Sequence, residues 1–365
     1  MPVYIQAIET AVPEYAYRQD DLREQMKELL GNTEVQKRII HRLYAKSGIQ
    51  TRHSILGDFQ QNTPQQLYFN GHGASPGTGF RNKIYEEKGR RLFINTARNL
   101  IENHEGSAGE ITHLITVSCT GFYAPGPDYD IIKALQLSTT IERYHLGFMG
   151  CYAAISALKM ASQICQAQPD SKVMIVATEL CSLHFQSSSK TDDLISSSVF
   201  ADGSAGAIVS SQNPESENCF QINRFASAIT DEGEKDMAWT IGDTGFNMVL
   251  SSYIPDIISR NLNDFLDPVM KQHGLTLDQI QRWAVHPGGR AILDRVEQQL
   301  ELPEETLKAS RFILSNYGNM SSVTILFVLN EILKDPSGPD AENVLSLAFG
   351  PGLTIESGFF TKLKK

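Results

Sequence analysis

The chain has 365 residues, which is enough for two similar-sized halves or for one large layered fold with a substantial buried core. Its 42 acidic and 32 basic residues give a net charge of −10, which opposes non-specific binding to nucleic acid or to an anionic membrane. No apolar run approaches the roughly 20 residues of a transmembrane segment. The five cysteines form no CxxC pair and follow no secretory signal, so we predict a cytoplasmic protein with reduced thiols.

Short apolar runs predict buried strands, and amphipathic stretches between them predict helices. In chain order, the strands are predicted at residues 111–118, 173–178, 205–210, 283–285 and 344–349. The helices are predicted at residues 88–102, 152–167, 254–273, 289–300 and 321–334. Because strands alternate with helices, we expect an α/β fold.

Two segments between these elements have the composition of loops. Residues 56–75 are rich in Gln, Asn, Gly and Pro, which predicts a surface loop or an insertion. The polar stretch SQNPESEN at residues 211–218 follows a predicted strand. We place the boundary between two halves at its end, which gives residues 1–218 and residues 219–365.

Cys151 lies in the sequence GFMGCYAA, immediately before a long apolar helical stretch. A cysteine at the N-terminus of a helix faces the positive end of the helix dipole, which favours the nucleophilic thiolate. Gly150 would permit the tight turn from strand to helix that an exposed nucleophile needs. The alternative is a buried and inert cysteine, which is the commoner case. We predict that alternative for Cys165 and Cys219.

Two further residues stand where a strand ends and where a helix begins. His286 ends an apolar strand and is followed by Pro-Gly-Gly, and Asn319 lies in YGNMSS just before an apolar helix. Alone, His286 could be an ordinary residue before a turn, and Asn319 a helix cap. Together with a cysteine they suit a different task, in which the thiol is acylated and an enolate is stabilised by two hydrogen-bond donors.

With these residues in this order, the sequence resembles the chalcone synthase-like family, the type III polyketide synthases, over nearly its full length. The family's cysteine, histidine and asparagine correspond to Cys151, to His286 in HPGG and to Asn319 in GNMSS. The stretch FGPGLT, with Gly350, Pro351 and Gly352, resembles the family's glycine-rich loop. The resemblance implies a homodimer with a thiolase-like fold, in which two similar halves, each with a five-stranded mixed sheet, stack in alternating helix and sheet layers.

The resemblance also implies a mechanism and a division of labour between the halves. The first half would carry Cys151, which takes an acyl group from a starter acyl-CoA with the help of the His286 imidazolium. The second half would carry His286 and Asn319, which stabilise the enolate formed when malonyl-CoA loses carbon dioxide. No cofactor is required, and the sequence has no metal-ligand spacing and no dinucleotide fingerprint. The alternatives are a ketoacyl carrier-protein synthase of the initiating kind and a catalytically silent acyl-binding protein.

Further positions correspond to residues that line the family's substrate sites. The two aromatic gatekeepers between the CoA tunnel and the reaction cavity match Phe200 and Phe246, and Ser321 matches a cavity position. Thr120, Ala124 and Cys181 resemble a mycobacterial long-chain alkylpyrone synthase, whose small side chains open an acyl tunnel. We therefore expect a fatty acyl-CoA starter and an alkylpyrone or alkylresorcinol product. The predicted tunnel positions are Cys119, Thr120, Ala124, Cys181 and His184.

The CoA phosphates need positive charge, which a run of basic residues near the N-terminus supplies on helical spacing. By resemblance, Arg42 and Lys46 match the family's phosphate contacts. Ile39 stands at a third matching position, and Lys37 or Arg38 would compensate for it. The alternative for the whole run is an ordinary solvated helix face.

Overall fold

The computed structural model describes residues 1–59, 67–68, 75–104, 108–214 and 218–364. The predicted surface loop at residues 56–75 therefore lies mainly outside the described residues. Among its described residues, Leu67 is buried and the Tyr68 hydroxyl donates to the Ser182 carbonyl at 3.0 Å, so this part of the segment packs against the protein. Both side chains pack inward, which the mainly polar residues around them in the sequence did not indicate.

Thirteen strands and eleven α-helices are found in the described part of the chain. The strands are β1 (Val3–Ala11), β2 (Tyr15–Arg18), β3 (Thr51–Ser54), β4 (His113–Ser118), β5 (Glu142–Gly147), β6 (Lys172–Leu180), β7 (Asp202–Ser210), β8 (Asn218–Ile229), β9 (Met237–Gly242), β10 (Gly245–Leu250), β11 (Arg282–Val285), β12 (Ala341–Gly350) and β13 (Thr354–Lys364). The helices are α1 (Gln19–Leu30), α2 (Glu34–Ala45), α3 (Thr78–Ile84), α4 (Arg90–Asn103), α5 (Pro127–Leu135), α6 (Ala153–Ala167), α7 (Thr191–Val199), α8 (Ile254–His273), α9 (Arg290–Gln299), α10 (Lys308–Tyr317) and α11 (Thr324–Lys334).

Nine of these strands form one mixed sheet in the order β11-β12-β13-β8-β1-β7-β6-β4-β5. The first half of the chain contributes five strands to this sheet, namely β1, β4, β5, β6 and β7. Strand β8 connects the second half to them, because it pairs antiparallel with β1 at Val3–Ile5. The expectation of two five-stranded sheets is therefore wrong for the second half, which contributes four strands among the described residues. Just before α11, where a fifth strand would be expected, only a single parallel bridge joins Phe200 to Asn319.

Both faces of the sheet are covered by helices. Alternate residues of a strand point to opposite faces of the sheet. In β4, Ile115 accordingly packs in the core around α6 and α11, whereas Leu114 packs in the core around α4 on the other face. In the second half, α8 and α9 cover the outer face of β11 and β12. Because α6 and α11 contact strands from both halves, helix and sheet layers alternate, and the predicted α/β architecture is confirmed.

The remaining strands form two small two-stranded sheets outside this sheet. β2 pairs with β3, and β9 pairs antiparallel with β10 from Met237 to Leu250. β10 packs against α7, which leads directly to Phe200. Among the described residues, no helix combines the length and the apolar character needed to cross a membrane.

Candidate active site

Cys151 lies in a tight turn between β5 and α6. The preceding residue, Gly150, has φ +94°, and a Cβ placed on it would lie 2.3 Å from Pro351 Cδ. A side chain here would be strained by the backbone and would collide with the loop after β12. Gly350 is equally constrained, because a Cβ on it would lie 2.5 Å from the Tyr152 ring. The glycine-rich loop is therefore packed directly onto the turn that presents Cys151.

A chain of hydrogen bonds connects Cys151 with Asn319. The Cys151 thiol lies 3.7 Å from Ser321 Oγ, and the Ser321 backbone N–H donates to Asn319 Oδ1 at 2.9 Å. The Asn319 amide nitrogen donates to the Gly288 carbonyl at 3.1 Å. These bonds fix the Asn319 amide against the loop that follows His286, and its second N–H, which has no partner within the described residues, can face a ligand.

His286 follows β11 at the carboxyl end of the strand. Its backbone N–H donates to the Leu347 carbonyl at 2.8 Å, which continues the parallel pairing of β11 with β12 by one residue. The side chain is buried, and neither ring nitrogen has a hydrogen-bond partner within the described residues. A buried imidazole without partners has both nitrogens available for a ligand, although the resting site then contains no hydrogen bond between His286 and Cys151.

The three predicted catalytic residues line one cavity of about 620 Å³, which we call the Cys151 cavity. The first half of the chain supplies Cys151, and the second supplies His286 and Asn319. The other predicted residues in this lining are Cys119, Phe200, Ser321 and Pro351. Aliphatic and aromatic side chains from the β9–β10 hairpin complete the wall, namely Met237, Ala238, Trp239, Met248 and Leu250.

Burial dominates the protonation of the site. It raises the pKa of the Cys151 thiol to about 12 and lowers the pKa of His286 to about 3. The expected effect of the α6 N-terminus on the thiol is therefore outweighed by desolvation, which disfavours both charged forms. In the resting site, the cysteine is a neutral thiol and the histidine a neutral imidazole.

A second cavity of about 850 Å³ adjoins the first, and we call it the second cavity. Its lining includes four predicted substrate-binding residues: Cys181, His184, Phe246 and Phe200, which also lines the Cys151 cavity. The His184 ring stacks on the Phe246 ring with centroids 4.0 Å apart, and its two nitrogens contact the Thr120 carbonyl and the Phe246 N–H. Most of the wall surface is apolar and is supplied by side chains such as Leu22, Met26, Leu56, Phe59 and Phe185, although polar and charged residues, among them Arg52 and Asp193, also line the cavity.

The remaining predicted substrate-binding residues lie outside both linings. The Thr120 hydroxyl donates to Glu179 at 2.9 Å, and Ala124 is exposed on the surface beside the end of β5. Gly350 and Gly352 shape the loop around Pro351 rather than the cavity wall itself. The structure thus divides the predicted tunnel between two cavities and leaves Thr120 and Ala124 out of both.

Glu179 is a buried carboxylate that the sequence analysis missed. It accepts hydrogen bonds from the Cys119 backbone N–H and the Thr120 hydroxyl, both at 2.9 Å, and from the Ser322 hydroxyl at 2.5 Å. Burial raises its pKa. In the sequence, Glu179 is a single carboxylate near the end of the apolar strand β6, and that position was the one signal of its role. Its bonds connect the segment at Cys119 with the segment that follows Asn319.

The predicted CoA contacts Arg42 and Lys46 lie exposed on and just after α2, with Ile39 exposed on the same helix. Lys37 is paired with Glu34 at 3.3 Å. Another cation approaches from a different segment: a Cβ on Gly48 would lie 3.2 Å from Arg290 Cβ. The sequence analysis missed Arg290, although it directly follows the HPGG motif.

Comparison with known proteins decides the family. Residues 2–213 match the N-terminal domain of chalcone and stilbene synthases, and residues 221–363 match the C-terminal domain of the same proteins. The chain belongs to the chalcone and stilbene synthase family. The predicted resemblance to type III polyketide synthases is confirmed, and the protein is an enzyme of that class.

Two curated relatives show how far the likeness of this synthase extends. It is 28% identical over 366 residues to the alpha-pyrone synthesis polyketide synthase-like protein of Mycobacterium tuberculosis, covering 99% of this chain and 91% of that protein. It is also 28% identical over 363 residues to the probable polyketide synthase 1 of Dictyostelium discoideum, covering 98% of this chain but 11% of that protein. The match therefore spans nearly all of the first relative and a small part of the second.

Solved structures have the same fold. PKS-I from the brown alga Ectocarpus siliculosus superposes with a TM-score of 0.93 at 28% identity, covering 100% of this chain and 98% of that one. The C-terminal type III polyketide synthase domain of the Dictyostelium protein Steely1 superposes with a TM-score of 0.92 at 26% identity, covering 100% of both chains. The predicted thiolase-like fold is confirmed by this agreement.

Proposed function

We propose that this synthase extends a fatty acyl-CoA starter by decarboxylative condensation with malonyl-CoA and closes the product to an alkylpyrone or alkylresorcinol. The observation that carries the proposal is the Cys151 cavity, where a thiol, an unpartnered imidazole and an oriented amide from two halves of the chain share one enclosed space. The apolar second cavity beside it supports a starter with a long hydrocarbon tail.

In the loading step, Cys151 attacks the thioester carbonyl of the starter. Because both groups are neutral at rest, His286 takes the thiol proton as the new carbon–sulfur bond forms and returns it to the departing CoA thiolate. The acyl group then remains on Cys151 as a thioester. The high pKa of the thiol means that the resting enzyme holds little thiolate, so loading depends on this proton transfer.

In the extension step, malonyl-CoA enters with its thioester carbonyl between His286 and Asn319. A neutral imidazole donates one N–H, and the Asn319 amide donates the N–H that Gly288 does not use. When carbon dioxide leaves, these two donors stabilise the enolate oxygen. The enolate carbon attacks the Cys151 thioester, which transfers the lengthened chain to CoA and releases the thiolate to take up a proton again.

The hydrocarbon tail of the starter is proposed to occupy the second cavity. Each methylene that leaves water for an apolar wall contributes about 0.8 kcal/mol to binding. Cys181 is a small side chain in this wall and leaves room for the tail. The likeness to the mycobacterial alpha-pyrone synthesis protein supports a pyrone among the products.

At the other end of the substrate, cations around the end of α2 would hold the CoA phosphates. Arg42 and Lys46 have no carboxylate partner among the described residues, and Arg290 approaches the same segment at Gly48. The Arg290 guanidinium is paired with Asp294 of the same helix at 3.4 Å, an exposed ion pair of the kind that contributes little and that a phosphate can replace. Ile39 carries no charge at the position of the third phosphate contact. We propose that Arg290 supplies the missing positive charge.

We further propose that the synthase is a cytoplasmic homodimer that needs only CoA thioesters and no cofactor. β5 is the edge strand of the large sheet, and exposed aromatic side chains lie close to it, at Phe122, Tyr129 and Tyr144. An edge strand beside an apolar patch is commonly covered by another chain. Light scattering of the purified protein should give the mass of a dimer, and a monomer would contradict the proposal.

The function is tested by supplying malonyl-CoA with acetyl-, hexanoyl-, lauroyl- or palmitoyl-CoA and identifying the products by mass spectrometry. The expected products are alkylpyrones or alkylresorcinols that retain the starter's tail. Cys151→Ala should abolish them while the variant stays folded, because the thioester then has no attachment point. Cys165→Ala, which changes a buried cysteine outside both cavities, is the control and should retain activity. No product from any starter would reject the proposal.

A further inference from the structure

The Cys151 cavity and the second cavity are separated by a thin wall. Phe200, Trp239 and Met248 belong to both linings, and each cavity has its own remaining residues. A hydrocarbon tail attached to Cys151 must pass this wall to reach the second cavity. At least one of the three side chains must therefore move when a long starter is loaded.

Phe200 is the most firmly held of the three. Its backbone N–H donates to the Ser196 carbonyl at 3.1 Å, and its carbonyl accepts from the Arg52 guanidinium at 2.7 Å. The next residue, Ala201, donates to the Asn319 carbonyl at 2.8 Å. These bonds fix the Phe200 main chain beside the segment that positions Asn319, so Phe200 can change its place in the wall only by rotation of its ring and not by a shift of the backbone.

Trp239 is held through its ring contacts and without a hydrogen bond from its indole within the described residues. Its indole makes only edge-on contacts, at angles of 76° or 77°, with Phe148, His184, Phe200 and Phe246. The indole Nε1 is buried and has no hydrogen-bond partner within the part of the chain that the structure describes. An unpaired buried donor destabilises the position that it occupies. The closed position of the ring is thus fixed neither by a hydrogen bond nor by stacking.

The setting of Trp239 allows movement. It belongs to the hairpin β9–β10, whose two strands pair with each other and not with the large sheet. Its cross-strand partner is Met248, the third residue of the wall. Methionine has an unbranched and adaptable side chain that can repack around a displaced ring.

We propose that the Trp239 indole is a gate between the two cavities, and that a long acyl chain displaces it in passing from Cys151 into the second cavity. This inference rests on the proposed fatty starter and names the residue that controls its entry. A short starter remains in the Cys151 cavity and leaves the gate closed. Trp239 therefore determines which starters the enzyme accepts and has no part in the bond-forming steps.

Tryptophan fluorescence tests the movement without altering the wall. The chain has two tryptophans, and the other, Trp283, is buried in the core around α8 and α9. Palmitoyl-CoA added without malonyl-CoA should change the emission of the unmodified protein, whereas acetyl-CoA or CoA should not. In Trp239→Phe the change should disappear. An equal change with acetyl-CoA, or a change that persists in Trp239→Phe, would overturn the gate.

Chain-length kinetics supply a second test. Trp239→Ala removes the obstacle, so the ratio of kcat/KM for palmitoyl-CoA to that for hexanoyl-CoA should rise on the order of tenfold, because a long tail no longer has to disrupt the edge-on aromatic contacts of the ring. Trp239→Phe keeps an aromatic ring of similar placement and should change the ratio less than Trp239→Ala. The melting temperature of each variant is measured alongside, because a loss of stability lowers both activities together.

These measurements separate the gate from the proposed function. If the unmodified protein makes no polyketide from any starter, the proposed function fails. If it makes polyketides and Trp239→Ala leaves the ratio unchanged, the function stands and the gate is rejected. A selective gain for the long starter in Trp239→Ala supports both.

Discussion

The two adjoining cavities have walls of different construction. Around Cys151 the positions depend on the backbone: Gly150 and Ser321 both have positive φ, and Asn319 is bonded through its main chain and its amide. The second cavity is lined by side chains from α1, β3, the turn Cys181–His184, α7 and the β9–β10 hairpin. The reaction requires fixed geometry, whereas substrate range follows side chains whose size can change without moving the backbone.

The largest effect is expected from the two donors of the Cys151 cavity. His286→Ala or Asn319→Ala should slow release of carbon dioxide from malonyl-CoA by about 10²–10³, the usual consequence of losing one such donor. Asn316→Ala, on the outer part of the neighbouring helix α10, is the control for Asn319 and should decarboxylate normally. A variant that releases carbon dioxide at the normal rate but fails to accept the starter would show that its residue has a different role.

The dependence of the Cys151 cavity on its backbone can be tested at Gly150. Gly150→Ala should cost about 1–3 kcal/mol of unfolding free energy through backbone strain and a similar amount through overlap with Pro351. Gly79→Ala is the matched control, because a Cβ at that helical position meets no atom within 4 Å. It should be neutral or slightly stabilising. Equal unfolding curves for the two variants would contradict this account.

The second cavity should respond selectively to a larger side chain. Cys181→Phe would exclude part of the hydrocarbon tail, and losing two buried methylenes lowers binding by about tenfold or more. The kcat/KM for palmitoyl-CoA should therefore fall while that for hexanoyl-CoA is nearly unchanged. Ala124→Phe, at an exposed position of the single chain, is the comparison variant. A uniform loss over all starters in Cys181→Phe, together with a lower melting temperature, would make Cys181 a packing residue.

A selective loss in Ala124→Phe would have a separate meaning. Ala124 lies outside both linings in one chain, beside the exposed aromatic residues near β5. It could limit the tail only by approaching the cavity of a second copy in the proposed dimer. Comparing the two variants therefore tests whether the second cavity is complete within one chain.

A further effect concerns acid stability. Burial lowers the pKa of His286 to about 3 and that of His184 to about 4, below the value near 6.5 of an unfolded chain. The unfolded state then binds more protons at intermediate pH, so this stability is complete above about pH 6.5 and is lost as the pH falls towards 4 and 3. At about pH 5 each histidine should cost about 2 kcal/mol. Urea unfolding of His286→Gln should show a shallower pH dependence, and an unchanged slope would refute the assignment.

The sequence by itself determined the local settings of the catalytic candidates. A glycine followed by a long apolar helical pattern located the turn at Cys151, an apolar run followed by Pro-Gly-Gly located His286 after β11, and an apolar helical pattern located Asn319 before α11. The five predicted strands and five predicted helices each correspond to an observed element, with ends shifted by a few residues. Periodicity reports how one segment is buried, which is why such segments are legible without the fold.

Elements with weaker periodicity were not recognised. β5 has a largely exposed, polar sequence because it is an edge strand, and the β9–β10 hairpin alternates only partly because one of its faces lines the cavities. Trp239 belongs to this hairpin, so its place between two cavities could not be predicted. The shared wall exists because segments far apart in the sequence converge there.

Only the tertiary structure decided the protonation and the division of the substrate space. The α6 N-terminus was visible in the sequence and favoured a thiolate, but the position of Cys151 and His286 inside the folded protein makes desolvation the larger effect. Glu179 joins three distant segments through hydrogen bonds that no local pattern encodes. Cys181 and Cys119 line different cavities, which likewise follows from long-range packing. The volume between two walls depends on the residues of both walls, and these come from distant parts of the chain.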